Sequence, residues 1–414
     1  MITSTVRSLG AYTVDRRPLA VAAYRRLWVS SAVCAVGGSF GVVAVPAQLF
    51  TLTGSSAAVG VAGAVSFVAL VVAALGAGAL ADVMDRRKVL LAAHCGLAFT
   101  YVAFWTLAVL DGSLVPVLMV LVACQGLSLG AIMTTMGAVV PRLVPVELLP
   151  AANSLSSLTR YAGSILGPVL AGALIPAVGL GTLYLFDAIA LLAVVWAVVK
   201  LPPLPPQPHP AARRGSAAGL RYVVASRLLV AVLLVDLAAM VFGMPTALFP
   251  ELAQHTYGGP AGGGLELGLL YAAYPAGVVA AGLLSGTFTR ARRHGALMAA
   301  AAAAWGGAVV LLGLAAQLWV ALVALVLGGA VNFVLSTFRN AITQAHTHDS
   351  MRGRIQGSLT VVLFGGPHIA NLLHGAATSI LDHRLVICAG GLLTVATVAA
   401  VAWALPELRN YTPA

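Results

Sequence analysis

Asp236, Asp187 and Arg160 are charged side chains set well inside long apolar runs. An ionisable group in hydrocarbon is costly unless it is paired or reaches water, so each is a functional candidate. A carboxyl removed from water favours its neutral form, which suits it to taking up and releasing a proton. Asp236, about nine residues or roughly 13 Å into its run at 1.5 Å per residue, is the first candidate for a proton carrier. Asp187 is the second, and Arg160 is the basic group able to couple to either. The alternative for both acids is structural, a carboxylate paired with Arg160 or held by backbone N–H groups. Gln48, Gln125, Tyr271, Tyr274, Asn332 and Asn371 sit in similar runs and are candidates to line a central cavity.

Other chemistries find no support. The only lysines, Lys88 and Lys200, do not follow a glycine, so no phosphate-binding loop of the Walker type is present. There is no His-Glu-x-x-His. The Gly-x-Ser-x-Gly spacing occurs at Gly37–Gly41 and Gly126–Gly130, but inside apolar helical runs and not at a strand-to-helix turn, so neither is a nucleophile elbow and the chain reads as a non-enzyme. Cys34, Cys95, Cys124 and Cys388 fall in apolar segments without ligand spacing and read as small buried hydrophobes. His346 and His348 fall in a loop, His94 in a span, and His368 and His374 six residues apart, off a common helical face; no metal site is expected.

The elements that must carry these groups follow from composition. Of 414 residues 60% are hydrophobic and 8% charged, where soluble chains carry roughly 25% charged. Water does not tolerate the apolar surface such a chain would expose, so the bilayer is its solvent. The net charge of +11 is spread in short clusters between apolar runs, which argues against a nucleic-acid partner. A crossing needs about 20 apolar residues. Candidates lie near 25–51, 57–82, 88–110, 114–140, 151–177 and 181–200, then 228–254, 264–288, 295–315, 317–339, 354–380 and 384–405. With the N-terminus inside, all but two of the 23 basic residues fall in cytoplasmic segments, Arg339 among them. The exceptions are Arg384 outside and Arg160 within a span. This bias predicts a multi-pass protein with both termini cytoplasmic, and the high Ala, Arg and Gly content with almost no Lys suggests a bacterial source, hence an inner membrane.

The midpoint reads LPPLPPQPHP over 201–210, then AARRGSAAG. Such proline density cannot sustain a helix and favours a semi-rigid strap. The expected organisation is therefore a tail over 1–24, a six-helix half over 25–200, a linker over 201–227, a second six-helix half over 228–405 and a tail over 406–414. Weak repetition agrees: the basic pair Arg86-Arg87 recurs as Arg292-Arg293, and Ser154-Leu155 as Ser358-Leu359. Duplicated halves around a midplane site are a recurrent transporter plan.

Between the second and third spans stands Gly78-Ala-Leu80-Ala81-Asp82-Val-Met-Asp-Arg86-Arg87-Lys-Val-Leu90. It resembles the loop signature of the major facilitator superfamily, with Val83 and Asp85 departing from the pattern. The resemblance implies an all-α protein of twelve transmembrane helices in two pseudo-symmetric halves, with this loop biasing its conformations. Gly78 is expected to allow close helix approach, and Asp82 to need a positive partner or a helix N-terminus. In the fifth span, Gly163, Gly167, Pro168 and Gly172 resemble the motif of the exporting, antiporter branches, with Ala171 and Ser154 at positions where glycine is usual. Gly163 and Gly167 form a small-x-x-x-small face, and Pro168 removes a backbone donor. Gln125-Gly126 follows a further exporter motif whose proton-coupling Arg is here Val122.

Within the superfamily the chain resembles the enterobactin-exporter branch of proton-driven efflux proteins. The resemblance rests on Val43–Gln48, Asp85–Lys88, the proline strap, Leu269–Gly277 and Met351–Gly357. It implies export of a small amphipathic molecule, a catecholate siderophore foremost, by proton antiport and alternating access, with no cofactor beyond the proton gradient. The implied partners are substrate and lipid, and the implied working form is a monomer. Sister drug and macrolide exporters share these stretches, so polyspecific efflux conferring drug resistance is the alternative. A non-transporting receptor on the same fold is a third reading.

Overall fold

A computed structural model describes residues 15–81, 83–110, 114–206, 222, 224–289, 291–347 and 365–412. Long apolar segments form helices because hydrocarbon offers no partner for a backbone N–H or C=O, so each must be satisfied within its own segment. Ten helical segments among the described residues are long and apolar enough to cross a membrane. The helices are α1 (Ala22–Gly37), α2 (Gly41–Thr53), α3 (Ser56–Ala81), α4 (Arg86–Val109), α5 (Val115–Leu143) and α6 (Leu149–Val199), followed by α7 (Arg227–Gly243), α8 (Leu265–Leu283), α9 (His294–Leu314), α10 (Leu318–Ala345), α11 over 365–377 and α12 (His383–Ala404).

Two features reconcile this series with twelve crossings. α6 is two crossings joined at Gly179, whose φ of 77° interrupts the helical dihedrals and is open to glycine at little cost. Of the expected crossing 354–380, residues 365–380 are described, and they are helical over 365–377. The fold is the all-α, twelve-helix, two-half architecture that the sequence implies. Each half opens on a broken helix. The first crossing divides between α1 and α2, and the seventh passes from α7 through Pro245 and short helical turns to Thr256.

Short polar residues start helices where the apolar runs begin. Asp85 accepts from Arg87 N–H at 2.9 Å to cap α4, and Asp382 accepts from Arg384 N–H at 2.9 Å to cap α12. In the first half α1 and α4 pack on α6 and α3 packs on α5; in the second α9 packs on α12 and α8 and α9 pack on α10. α6 and α8 join the halves. The buried core is aliphatic and small, whereas Leu75, Phe99, Leu283, Ile380 and Trp403 are exposed. An apolar outer surface is the expected face toward lipid tails, against which apolar burial gains nothing.

One end of the bundle is basic. It carries Arg26, Arg87, Arg142 and Lys200, and there Arg227 lies 3.6 Å from Glu407. The proline strap is laid against this end. Leu204 N–H donates to Asp85 at 3.1 Å, Arg86 N–H donates to the Leu204 carbonyl at 3.1 Å, and Arg142 donates to the Pro205 carbonyl at 2.7 Å. The remainder of the strap, 207–221, lies outside the described residues.

Candidate functional site

The halves part toward the basic end and meet at the other. Between them lies a cavity of about 750 Å³. Arg160, Tyr161 and Ser164 of α6 form one wall, and α8 and α10 supply the other through Tyr274, Asn332, Phe333, Asn340 and Gln344. Gln344 is close to the basic terminus of α10, so the cavity reaches that end. A second cavity of about 280 Å³ lies beyond it, lined by Gln125, Tyr271, His368 and Asn371 together with α2 and α3.

The far end is sealed by contacts between halves. A Cβ on Gly268 would strike the Pro168 carbonyl, and one on Gly172 would lie 3.0 Å from the Gly268 Cα, so α6 and α8 touch backbone to backbone. Ser56 Oγ donates to Glu251, whose carboxylate also lies 3.2 Å from His383 Nδ1. Phe50 packs edge-on to His255, and deeper in the bundle, eleven residues along α3 from Ser56, Phe67 stacks on His368 at 5.0 Å. None of Ser56, Glu251 or His383 stood out in the sequence, because the three are drawn from α3, the seventh crossing and α12.

The exporter-like motif divides its work between two neighbours. A Cβ on Gly163 would collide with the Ala35 carbonyl of α1, and one on Gly167 would lie 2.6 Å from Ser39 Cβ. Gly163 and Gly167 thus seat α6 on the first crossing within its own half. Pro168 and Gly172, on the other side of α6, face Gly268 of the second half.

Asp236 is fully buried and joins α7 to α10: Arg339 Nη1 donates to Asp236 Oδ1 at 2.9 Å. Arg160, the partner in the structural alternative, is instead exposed in the cavity, donating to Ser157 Oγ at 3.3 Å. Arg339, assigned by charge bias to a loop, lies within α10, because that helix runs six residues further, to Ala345. Its Nε and Nη2 donate to Asn340 Oδ1, each at 3.2 Å, so a cavity-lining amide touches the buried pair. Asp236 Oδ2 is buried without a hydrogen-bond partner among the described residues. Asp236 itself lines neither cavity, which removes the support an acid within reach of a cationic drug would have lent the polyspecific reading.

Asp187 is held by backbone N–H groups. Its carboxylate accepts from Phe40 N–H at 3.1 Å and Gly41 N–H at 2.7 Å, satisfying the start of α2 at the break in the first crossing. The polar candidates also separate. Tyr274 and Asn332 line the larger cavity, with Tyr274 Oη donating to Asn332 Oδ1 at 2.9 Å. Gln125, Tyr271 and Asn371 line the smaller one. Asn371 Oδ1 accepts from Thr246 Oγ1 at 2.6 Å and Ala247 N–H at 3.0 Å, holding the break in the seventh crossing. Gln48 lines neither; it is buried in the first half, where Tyr184 Oη donates to its Oε1 at 2.7 Å.

In the loop motif, Asp82 lies outside the described residues, and Ala81 ends α3. Gly78 does not mark a close approach, because an added Cβ would meet only Thr134 Cγ2 at 3.8 Å. Leu80 is exposed. Arg86 Nη1 donates to the Ala138 carbonyl at 3.2 Å, and Arg87 donates to the Val199 carbonyl. The two arginines therefore tie this loop to the basic ends of α5 and α6.

Relatives agree with this architecture. The sequence profile of the transmembrane secretion effector family matches residues 14–413. The enterobactin exporter EntS of Shigella boydii serotype 18 is 28% identical over 393 residues, spanning 94% of this chain and 93% of the relative. EntS of Escherichia coli K12 gives the same figures. Solved structures with the same fold include the nucleoside transporter NupG, with a TM-score of 0.71 and 12% identity, covering 94% of this chain and 100% of that one. A bacterial homologue of the iron transporter ferroportin, in an inward-facing state, has a TM-score of 0.69 and 16% identity, covering 94% and 99%. The chain is a multi-pass membrane transporter, and with a family profile matched along nearly its whole length it belongs to the transmembrane secretion effectors of the major facilitator superfamily.

Proposed function

We propose that this protein exports a siderophore of catecholate type from the cytoplasm, by alternating access coupled to proton entry. The carrying observation is the cavity of about 750 Å³ that reaches the basic end while the opposite end is closed by α6 against α8. With basic segments on the cytoplasmic side, this is the conformation that loads cargo from inside, and both termini are then cytoplasmic. The catecholate reading comes from the enterobactin exporters, to which the chain is similar over most of its length.

Asp236 is the group we assign to the proton. When ionised it neutralises Arg339 and holds α7 to α10; its unpartnered oxygen is a place for a proton. Protonation removes the attraction between the two helices, and any difference this makes to the two conformations biases their populations. The protein works as a monomer in this scheme, since both walls of the cavity come from one chain. No cofactor enters it.

The test compares iron-chelating metabolites in cells and medium, with and without the gene, under iron limitation. Loss of the gene should retain one catecholate inside and remove it from the medium. Unchanged secretion with accumulation of dyes and antibiotics would instead make the protein a polyspecific exporter.

A further inference from the structure

The larger cavity has one charged side chain among its described lining residues, and it is a cation. Arg160 lies eleven residues past Leu149, roughly 16 Å from the basic start of α6 at 1.5 Å per residue. That depth approaches the middle of the ~30 Å hydrocarbon layer. A guanidinium is retained there only where water or a counter-charge reaches it. The nearby groups supply no counter-charge. Arg160 Nη2 donates to Ser157 Oγ at 3.3 Å, its guanidinium carbon lies 5.7 Å from the centre of the Tyr161 ring, and among the described residues no carboxylate is within salt-bridge distance of it. Asp236 of α7 is buried and already neutralised by Arg339.

The same cavity offers aromatic surface. Tyr161, Tyr274 and Phe333 line it beside the amides of Asn332 and Asn340. Tyr274 donates to Asn332 Oδ1, leaving the Asn332 amide nitrogen as the donor for another group. A planar fork of N–H donors with aromatic faces around it suits an aryl ring that carries a carboxylate or phenolate.

We propose that Arg160 is the anion-recognising residue of this cavity, and that the cargo bears an anionic group on an aromatic ring. The inference rests on the cavity being the cargo site, as under the function proposed above, and adds the charge of what enters it. Arg160 and Tyr161 come from one half and Tyr274 and Phe333 from the other, so the cargo bridges them. An anion and a proton then bind at separate groups, Arg160 and Asp236. The inside-negative membrane potential also favours outward movement of a negative cargo.

The test uses the purified full-length protein and two probes with the same ring, 2,3-dihydroxybenzoate and 2,3-dihydroxybenzamide, in titration calorimetry. Hydrogen bonds to a charged partner imply that the benzoate binds roughly tenfold or more tighter than the benzamide. Arg160→Ala should abolish that preference while the protein stays monodisperse with an unchanged melting profile, and Arg160→Lys should restore part of it. Equal binding of the two probes, no benzoate binding up to millimolar concentration, or an Arg160→Ala protein that keeps the preference would each overturn the proposal. Secretion by cells separates it from the siderophore reading: a benzoate preference lost in Arg160→Ala, with siderophore secretion independent of the gene, leaves the anion site standing with another aromatic acid as cargo.

Discussion

Asp236 and Arg339 are 103 residues apart in the chain and meet at 2.9 Å between α7 and α10, the acid fully buried and the base nearly so. Breaking one side of a buried pair leaves an uncompensated charge, which costs about 3–5 kcal/mol. Arg339→Ala should therefore lower the unfolding temperature of the detergent-solubilised protein markedly. The double variant Asp236→Asn/Arg339→Gln, which removes both charges, should recover most of that loss. If the double variant is as unstable as Arg339→Ala, the pair is not what holds these helices.

Asp236→Asn should also uncouple export from the proton gradient in inside-out vesicles. Cargo accumulation should stop responding to an imposed pH step, while exchange of labelled for unlabelled cargo continues. Full pH-driven accumulation in this variant would exclude Asp236 as the proton carrier.

Asp187 should behave differently, because it caps α2 through two backbone N–H groups. Asp187→Ala should cost about 0.5–2 kcal/mol, the usual range for a lost helix cap, read as a lower melting temperature. Asp187→Asn keeps an acceptor and should be milder. Both variants that reach the membrane should retain a response to pH, and loss of that response would show that Asp187 is more than a cap.

The far end of the bundle is held by Ser56 donating to Glu251 across the halves, with His383 on the other side of the same carboxylate. Glu251→Gln combined with Ser56→Ala should weaken that closure. The readout is labelling of Gln254→Cys, in a background lacking the native cysteines, by a membrane-impermeant maleimide added to intact cells. Labelling several-fold faster than in the protein with Ser56 and Glu251 intact is expected; an unchanged rate would mean that the backbone contacts of α6 and α8 close this end alone.

Those backbone contacts have their own test. A side chain at Gly268 would strike the Pro168 carbonyl of the opposite half. Gly268→Val should force the far end apart, giving rapid labelling at the same reporter and little export, with overpacking costing about 1–3 kcal/mol. Gly78→Val, where an added Cβ meets only Thr134 Cγ2 at 3.8 Å, should be far better tolerated. Equal damage from both would contradict the assignment of close approach to Gly268.

The sequence by itself determined the solvent, the element type and their number. Runs such as 295–315 are too apolar for water, and in lipid a backbone has few ways to satisfy itself except as a helix. The same local logic reveals where helices start, because a cap such as Asp85 acts within two residues of itself. The face made by Gly163 and Gly167 was legible for a related reason, since helical periodicity places them together before any partner is known.

Partners were decided only by the tertiary structure. Asp236 was conspicuous as a charge in an apolar run, but the choice of Arg339 over Arg160 depends on which helix lies alongside α7, and that information is not local. Asp187 and Asp236 look alike in sequence; one meets the open N–H groups of α2 and the other a guanidinium. Gln48 and Asn332 are likewise both amides in apolar helices, yet one is turned into Tyr184 and the other lines the cavity. Glu251, Ser56 and His383 carry no pattern at all until three separate crossings converge. Composition and periodicity are properties of single segments, whereas a binding cavity is a property of how segments face one another.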